Sequence, residues 1–422
     1  MGLLRWLGSL SAGGRGLLGG IAVLILAAGS LGFLAWRTGH TSPIVQPVAP
    51  RVVALVTDKS EAVATGDLVP SGTPLKLTFN TPMKPGTVAL TANGTQVALS
   101  WAHDGRSAAL DTGALKIGPV ALAVGRGGRS AGGGQLPPWS LAFSSIFAAR
   151  VHTVPLATPV LVQVPNDPAA RDQSGLQSAA IVYEYLTEGG ITRFTAIFVN
   201  APDEIGPVRS GRLISFALTR RYRGLLMASG LSEGSNAVLA ANPVPHVFDN
   251  GAGYFHRTTD RRPPNNLYTS ASEVQRALAS ASLPPFSLPE AEVPIRSGPA
   301  GTAIDVPEHS STYTFDAATR TYTKQVDGRT LIDAATGQPL HIQLAVVIHT
   351  TATSTGYVED VNGQPGLDID VQAGGRADFW FDGLQASGRW SSPSASAPLR
   401  FELDSGAVVR PPALTWVDVV TS

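Results

Sequence analysis

The chain contains no cysteine in 422 residues. That absence excludes disulfides, thiolate metal centres, a cysteine nucleophile and a lipobox cysteine for lipid attachment. Charge is also scarce. Charged residues make up 15% of the chain, and 31 Lys and Arg balance 31 Asp and Glu to a formal net charge of +0. A near-neutral chain has no general attraction for polyanions, so nucleic acid is not an expected partner. No HExxH or comparably compact ligand spacing occurs, and neither a metal nor another cofactor is expected. No internal repeat is visible. What is abundant is glycine (45) and proline (32), a composition that suits a loop-rich β protein.

The one long uncharged run is residues 17–36, LLGGIAVLILAAGSLGFLAW. Twenty residues of helix span roughly 30 Å, about one hydrocarbon core. With Arg5 and Arg15 before it and Arg37 after it, the run predicts a transmembrane helix, residues 1–16 cytoplasmic and the bulk of the chain outside, a single-pass protein of the cell membrane. The competing expectation is a cleaved signal peptide ending at Ala27-Ala28-Gly29. Residues 37–50 (RTGHTSPIVQPVAP) have no helical period and read as a tether.

Residues 51–147 alternate apolar and polar side chains in short runs, with hairpin signals at Asn93-Gly94 and Asp104-Gly105. This pattern predicts a small β-sandwich, and VPSGTPLKLTFNTPMKPGTVAL resembles bacterial Ig-like domains. The run GRGGRSAGGG at 125–134 lacks the GK[ST] ending of a phosphate loop and reads as a hairpin loop. Residues 155–281 interleave strand candidates (LVQV, AIVYEY, FTAIFV, LLMAS) with helical segments at 210–222, 235–241 and 270–280, which predicts an α/β or α+β domain. A proline-rich linker is expected at 282–311 and a C-terminal mostly-β domain at 312–422.

Within the central segment, PNDPAARDQSGL, IVYEYLTEGGITRF, EIGPVRSGR and NNLYTS follow one another in order. They resemble the run of motifs in the YerB-like bacterial lipoprotein family, a two-part domain of unknown function. The C-terminal segment resembles its second part in a Tyr-x-x-Asp opening and a Trp-x-x-Val-Val ending. The resemblance covers about residues 155–422 and implies an extracytoplasmic, membrane-tethered envelope protein with no agreed reaction. The missing cysteine departs from the family's lipid-anchored members.

These motifs concentrate Asn166, Arg171, Glu184, Glu188, Arg193, Arg209 and Arg212 beside apparent core strands. Arginine presents a fixed fork of donors suited to carboxylate or phosphate, and Arg209 and Arg212 stand at an expected helix start, where free N–H groups also favour an anion. The alternative is salt bridging to the neighbouring acids. Glu184 and Glu188, four apart and expected on one side of a strand, could serve as general acid and base, contact a ligand, or pair with arginines. GLSEG at 230–234 fits G-x-S-x-G with Ser232 as nucleophile and Asp249 or Asp260 and His256 downstream, whereas a helix cap by Ser232 is the simpler reading. His256, Asn266 and Tyr268 lie on a Gly- and Pro-rich stretch whose aromatics and amides form either a binding surface or a plug for the domain's open end. The expected function is binding of an anionic envelope polymer or an envelope protein, with hydrolysis of an envelope glycan or ester as the alternative.

Overall fold

The computed structural model describes residues 48–421, apart from 150 and 361. The first layer is a sandwich of two sheets. One has the order Val52–Thr57, Leu75–Phe79, Ser107–Leu110, Leu99–Trp101; the other has Leu68–Pro70, Trp139–Ile146, Gly118–Val124, Leu90–Ala92, Thr95–Val97. Strict alternation builds it, since inward residues such as Leu75, Leu77 and Phe79 meet Val120, Leu122 and Val124 in one core. Asn93 (φ 50°) and Gly94 (φ 80°) make the two-residue turn between Leu90–Ala92 and Thr95–Val97.

The rest of the chain is organised by one mixed sheet of eleven strands. Its order is His246–Phe248, Leu225–Ala228, Thr153–Pro165, Thr192–Pro202, Ile181–Leu186, Thr415–Val420, Leu344–His349, Gly375–Phe381, Leu384–Ser391, Arg400–Leu403, Val408–Val409. The closing strand Thr415–Val420 inserts in parallel between Ile181–Leu186 and Leu344–His349. Both central strands are therefore covered on both faces, which accounts for their near-continuous apolar character. On one face lie the helix Ala271–Ala281 and a four-stranded sheet formed by Ala303–Val306, Ser311–Asp316, Thr321–Val326 and Arg329–Thr330. The helix Leu213–Arg221 packs on the other face through Ile214, Phe216 and Leu218.

This architecture corrects the expected fold class. The described residues are mostly β with three α-helices, Leu213–Arg221, Glu233–Ala241 and Ala271–Ala281, and not an α/β or α+β domain followed by a separate β-rich one. Strand pairing across the join overrides the local helix–strand alternation, and Val293 and Ile295 of the expected linker are buried in the core. Among the described residues no helix is long and apolar enough to cross a membrane. The expected transmembrane helix, residues 17–36, lies outside those residues.

Candidate functional site

The sequence-predicted residues fall into three places. The first is wholly interior. Strand Ile181–Leu186 turns Tyr183 and Tyr185 to one core and Glu184 to the other. The Glu184 carboxylate accepts from Asn166 Nδ2 (3.2 Å), Thr192 Oγ1 (2.7 Å) and Trp416 Nε1 (2.9 Å), and pairs with Lys324 Nζ at 2.9 Å. Arg171 braces Asn166 from outside, with Nε 3.1 Å from Oδ1, and pairs with Asp327 at 2.9 Å. Parallel register places Asp418 directly beside Glu184. Lys324 Nζ also reaches Asp418 Oδ1 at 2.8 Å, so one ammonium holds two carboxylates, all with fully buried side chains. His309 completes the cluster, with Nδ1 2.9 Å from Asp418 Oδ1 and Nε2 3.2 Å from the Val419 carbonyl oxygen. Both ring nitrogens face acceptors, a geometry that only the doubly protonated imidazolium satisfies. Burial opposes that charge, but the hydrogen bond to Asp418 and the two carboxylates outweigh it and raise the His309 pKa. Burial would likewise raise Asp418, yet Lys324 and His309 hold it at about 2. Glu184, His309 and Asp418 offer ligand atoms within 4.8 Å of one another, a spacing a cation could use, but the Lys324 ammonium is hydrogen-bonded between the carboxylates.

The second place is the end of the sheet where Thr153–Pro165, Leu225–Ala228 and Ile181–Leu186 finish. Gly189 and Gly190 adopt φ of 75° and 73° there, a left-handed pair that only glycine takes without strain, and fold the chain back after Glu188. Arg209 is laid between strand ends, its N–H donating to the Gln163 carbonyl (2.9 Å) and its carbonyl accepting from Ser229 N–H (3.0 Å). Arg212 caps the helix Leu213–Arg221, and its backbone N–H donates to Ser215 Oγ at 3.1 Å. Its guanidinium makes a two-pronged contact with Glu188, Nε at 2.8 Å and Nη2 closer still, and lies 3.5 Å from Glu359. Arg193 donates to the Ser210 carbonyl (3.0 Å) and stands 3.8 Å from Glu188.

Two carboxylates, Glu188 and Glu359, thus stand among Arg193 and Arg212, and Asp167 acts on Arg209 beside them. Burial opposes ionisation of Glu188, but the Arg212 hydrogen bond and charge lower its pKa. Burial dominates at Glu359 and raises its pKa. Arg193 is pushed down to about 10 by burial and then by Arg212. Arg209 is lowered by burial too, partly offset by the field of Asp167. Among the described residues, Nε of Arg193 and Nε of Arg209 are buried without an acceptor. Arg193 and Arg212 are buried, whereas Arg209 and Ser210 are half-buried and reach the surface.

Ser232 is the N-cap of the helix Glu233–Ala241, its Oγ accepting from Ser235 N–H at 3.1 Å and donating to Glu359 Oε2 at 3.0 Å. Ser235 Oγ donates to the same carboxylate at 3.1 Å. Glu359 arrives on the hairpin Ala352–Val358/Pro365–Ile369, whose Tyr357 ring lies against Gly234 so closely that a Cβ there would sit 2.2 Å from it. Glu184 and Glu188 do not act as a pair. The strand ends at Leu186, Glu188 lies beyond it, and the two carboxylates serve different networks, contrary to the expectation that both share one side.

The third place is the stretch 249–268. His256 Nδ1 is 2.8 Å from Glu273 Oε2, and Arg257 Nη1 donates to Asn266 Oδ1 at 3.0 Å. The Tyr268 ring packs on Gly206, where a Cβ would lie 2.4 Å from it. Burial is the leading cause that pushes the Tyr268 hydroxyl up to about 12. The loop borders the arginine cluster, because Asn265 Nδ2 reaches Asp167 Oδ1 at 3.5 Å and Arg261 donates to the Ala170 carbonyl at 2.7 Å.

Sequence reasoning missed Lys324, Asp418, His309 and Glu359. Two carried a signal. Lys324 occupies an inward position between Tyr322 and Val326, and Asp418 interrupts the apolar run TWVDVV. A charge at a core position requires a partner.

Two family models match the chain. Residues 149–283 match the family model described as the N-terminal domain of a protein of unknown function, DUF3048, and residues 302–417 match its C-terminal domain. YerB of Bacillus subtilis (strain 168) is 29% identical over 279 residues, covering 62% of this chain and 81% of YerB. The crystal structure of YerB superimposes with a TM-score of 0.52 at 26% identity, covering 66% of this chain and 95% of that one.

Proposed function

Because the chain belongs to the YerB-like DUF3048 family, whose activity is not established, we propose its role from the site: it is a cell-envelope protein that binds an anionic polymer, carrying phosphate or carboxylate, at Arg209. The observation that carries this reading is the buried Nε of Arg209, which has no acceptor. Arg209 is half-buried, and behind it stand Arg193, also with an unmatched Nε, and Arg212. A buried donor without a partner costs free energy, and a ligand oxygen removes that cost. The site also lies at the end of the sheet where parallel strands finish, beside the first turn of the helix Leu213–Arg221, whose N–H groups favour negative charge.

The place in the envelope rests on the family. YerB is described as a candidate lipoprotein, which supports membrane association for the relative.

The test is Arg209→Ala against purified wall polymer by calorimetry. Each charge-assisted hydrogen bond lost is about 1.5–3 kcal/mol, so affinity should fall by roughly tenfold or more. The melting temperature should hold within a few degrees, because Arg209 Nε has no acceptor within the fold and Asp167 and Glu188 act on the guanidinium only through their fields. Unchanged binding together with a large loss of stability would overturn the proposal and make Arg209 part of the fold.

A further inference from the structure

The interior cluster around Lys324 holds an amine, a carboxylate and a second carboxylate in mutual contact, sealed from water. Lys324 Nζ lies 2.8 Å from Asp418 Oδ1 and 2.9 Å from Glu184 Oε2, and the side chains of all three residues are fully buried. Aromatic rings wall the group. Nζ is 4.2 Å from the Tyr313 ring centroid and 5.3 Å from that of Trp416, and Phe194 packs edge-on against Trp416 at 4.9 Å. Two polar groups address the Asp418 carboxyl itself. Tyr313 OH donates to Oδ2, and His309, with both ring nitrogens facing acceptors, donates to Oδ1.

We propose that Lys324 and Asp418 condense to an intramolecular amide, with Glu184 as the base. Glu184 takes a proton from the Lys324 ammonium, and His309 gives its Nδ1 proton to Asp418 Oδ1, which converts a poor electrophile into a carboxylic acid. The free amine attacks Cγ, forming the C–N bond. The developing charge on Oδ2 is held by the Tyr313 hydroxyl. The nitrogen returns one proton to His309, Oδ1 takes the proton held by Glu184, and the C–Oδ1 bond breaks to release water. An ammonium and a carboxylate become an amide and one water, Glu184 and His309 end as they began, and no oxidant or activated co-reactant is needed.

Two physical terms favour the step. Held contact replaces a bimolecular encounter, with effective molarities on the order of 10⁵–10⁸ M for well-oriented groups. A buried ion pair is expensive to keep desolvated, whereas a neutral amide is not. The bond would join strand Thr321–Val326 to the closing strand Thr415–Val420, residues separated by 94 positions. In a chain without cysteine, it would be a covalent tie that reduction cannot open.

The experiment is the intact mass of the full chain, denatured, beside that of Lys324→Met. The wild type should be lighter than its sequence by one water and the variant should not. Peptide mapping should recover a branched species joining the peptides that contain Lys324 and Asp418. Glu184→Gln, checked for folding by circular dichroism, should regain the full mass. Wild-type protein at full sequence mass, with the two peptides recovered separately, would overturn the proposal. A folded Glu184→Gln that still lacks one water would remove Glu184 from its assigned role. Because the wild-type mass decides the bond, failure of a variant to fold leaves the answer intact.

Discussion

Replacing Glu188 by glutamine tests the charge balance of the arginine cluster most directly. The carboxylate takes two hydrogen bonds from Arg212 and stands 3.8 Å from Arg193, and its side chain is 4% exposed. Glutamine keeps the shape and removes the charge, leaving buried guanidinium groups with only Glu359 opposite them. Breaking one side of a buried ion pair costs about 3–5 kcal/mol. At about 2–4 °C per kcal/mol for a domain of 150–250 residues, the melting temperature should fall by roughly 6–20 °C. The loss has a defined pH window. The folded-state pKa of Glu188 is lowered, so its contribution is complete above the ordinary carboxyl value of about 4.3 and disappears as pH falls through the folded value. Wild type and Glu188→Gln should therefore converge in acid. Inorganic phosphate at matched ionic strength should then restabilise the variant more than the wild type, because an external anion replaces the one removed. Scanning calorimetry at neutral pH, in phosphate and in chloride, measures all of this. An unchanged melting temperature, or equal phosphate effects on both proteins, would refute the claim that Glu188 compensates the buried Arg193 and Arg212.

Glu359→Gln should behave in the opposite sense. Its folded pKa is raised, mainly by burial, so ionised Glu359 is a penalty that grows as pH rises from the ordinary carboxyl value through the raised one. The variant should match or exceed wild-type stability at neutral pH, with a flatter pH profile by thermal denaturation and tighter phosphate binding beside Arg212. Ser232→Ala should cost about 0.5–2 kcal/mol through the lost cap on Glu233–Ala241, read as a shift in denaturation midpoint. A fluorophosphonate should leave wild-type Ser232 unlabelled, since its hydroxyl is engaged with Glu359; labelling that the alanine variant abolishes would establish a nucleophile instead.

Local chemistry was legible in the sequence where it acts locally. Asn93-Gly94 announces its turn, the period of Leu213, Phe216 and Ala217 announces a helix, and EGG forces the backbone to reverse at Glu188. The same local logic misjudges Glu184 and Glu188, because the strand ends two residues before Glu188 and period two stops with it. Pairing between remote segments was not legible. The register that sets Asp418 beside Glu184 depends on a closing strand that inserts into the middle of the sheet, 234 positions along the chain (418 − 184). Nor does any spacing foretell that a hairpin from the C-terminal half brings Glu359 to the start of the Glu233–Ala241 helix. Charged residues in strands still marked the right positions: Glu184 in IVYEY and Asp418 in TWVDVV break core-like runs, and Lys324 takes an inward position between Tyr322 and Val326. Burying any one of them alone would cost more than a small domain can spare. Their joint presence in one sequence therefore requires that they meet, and the meeting point lies where the family's two parts share a sheet. Arg209 is where the proposed anion would bind. Beside Arg212 and Glu188, which pair within the fold, its Nε is buried without an acceptor, as is that of Arg193.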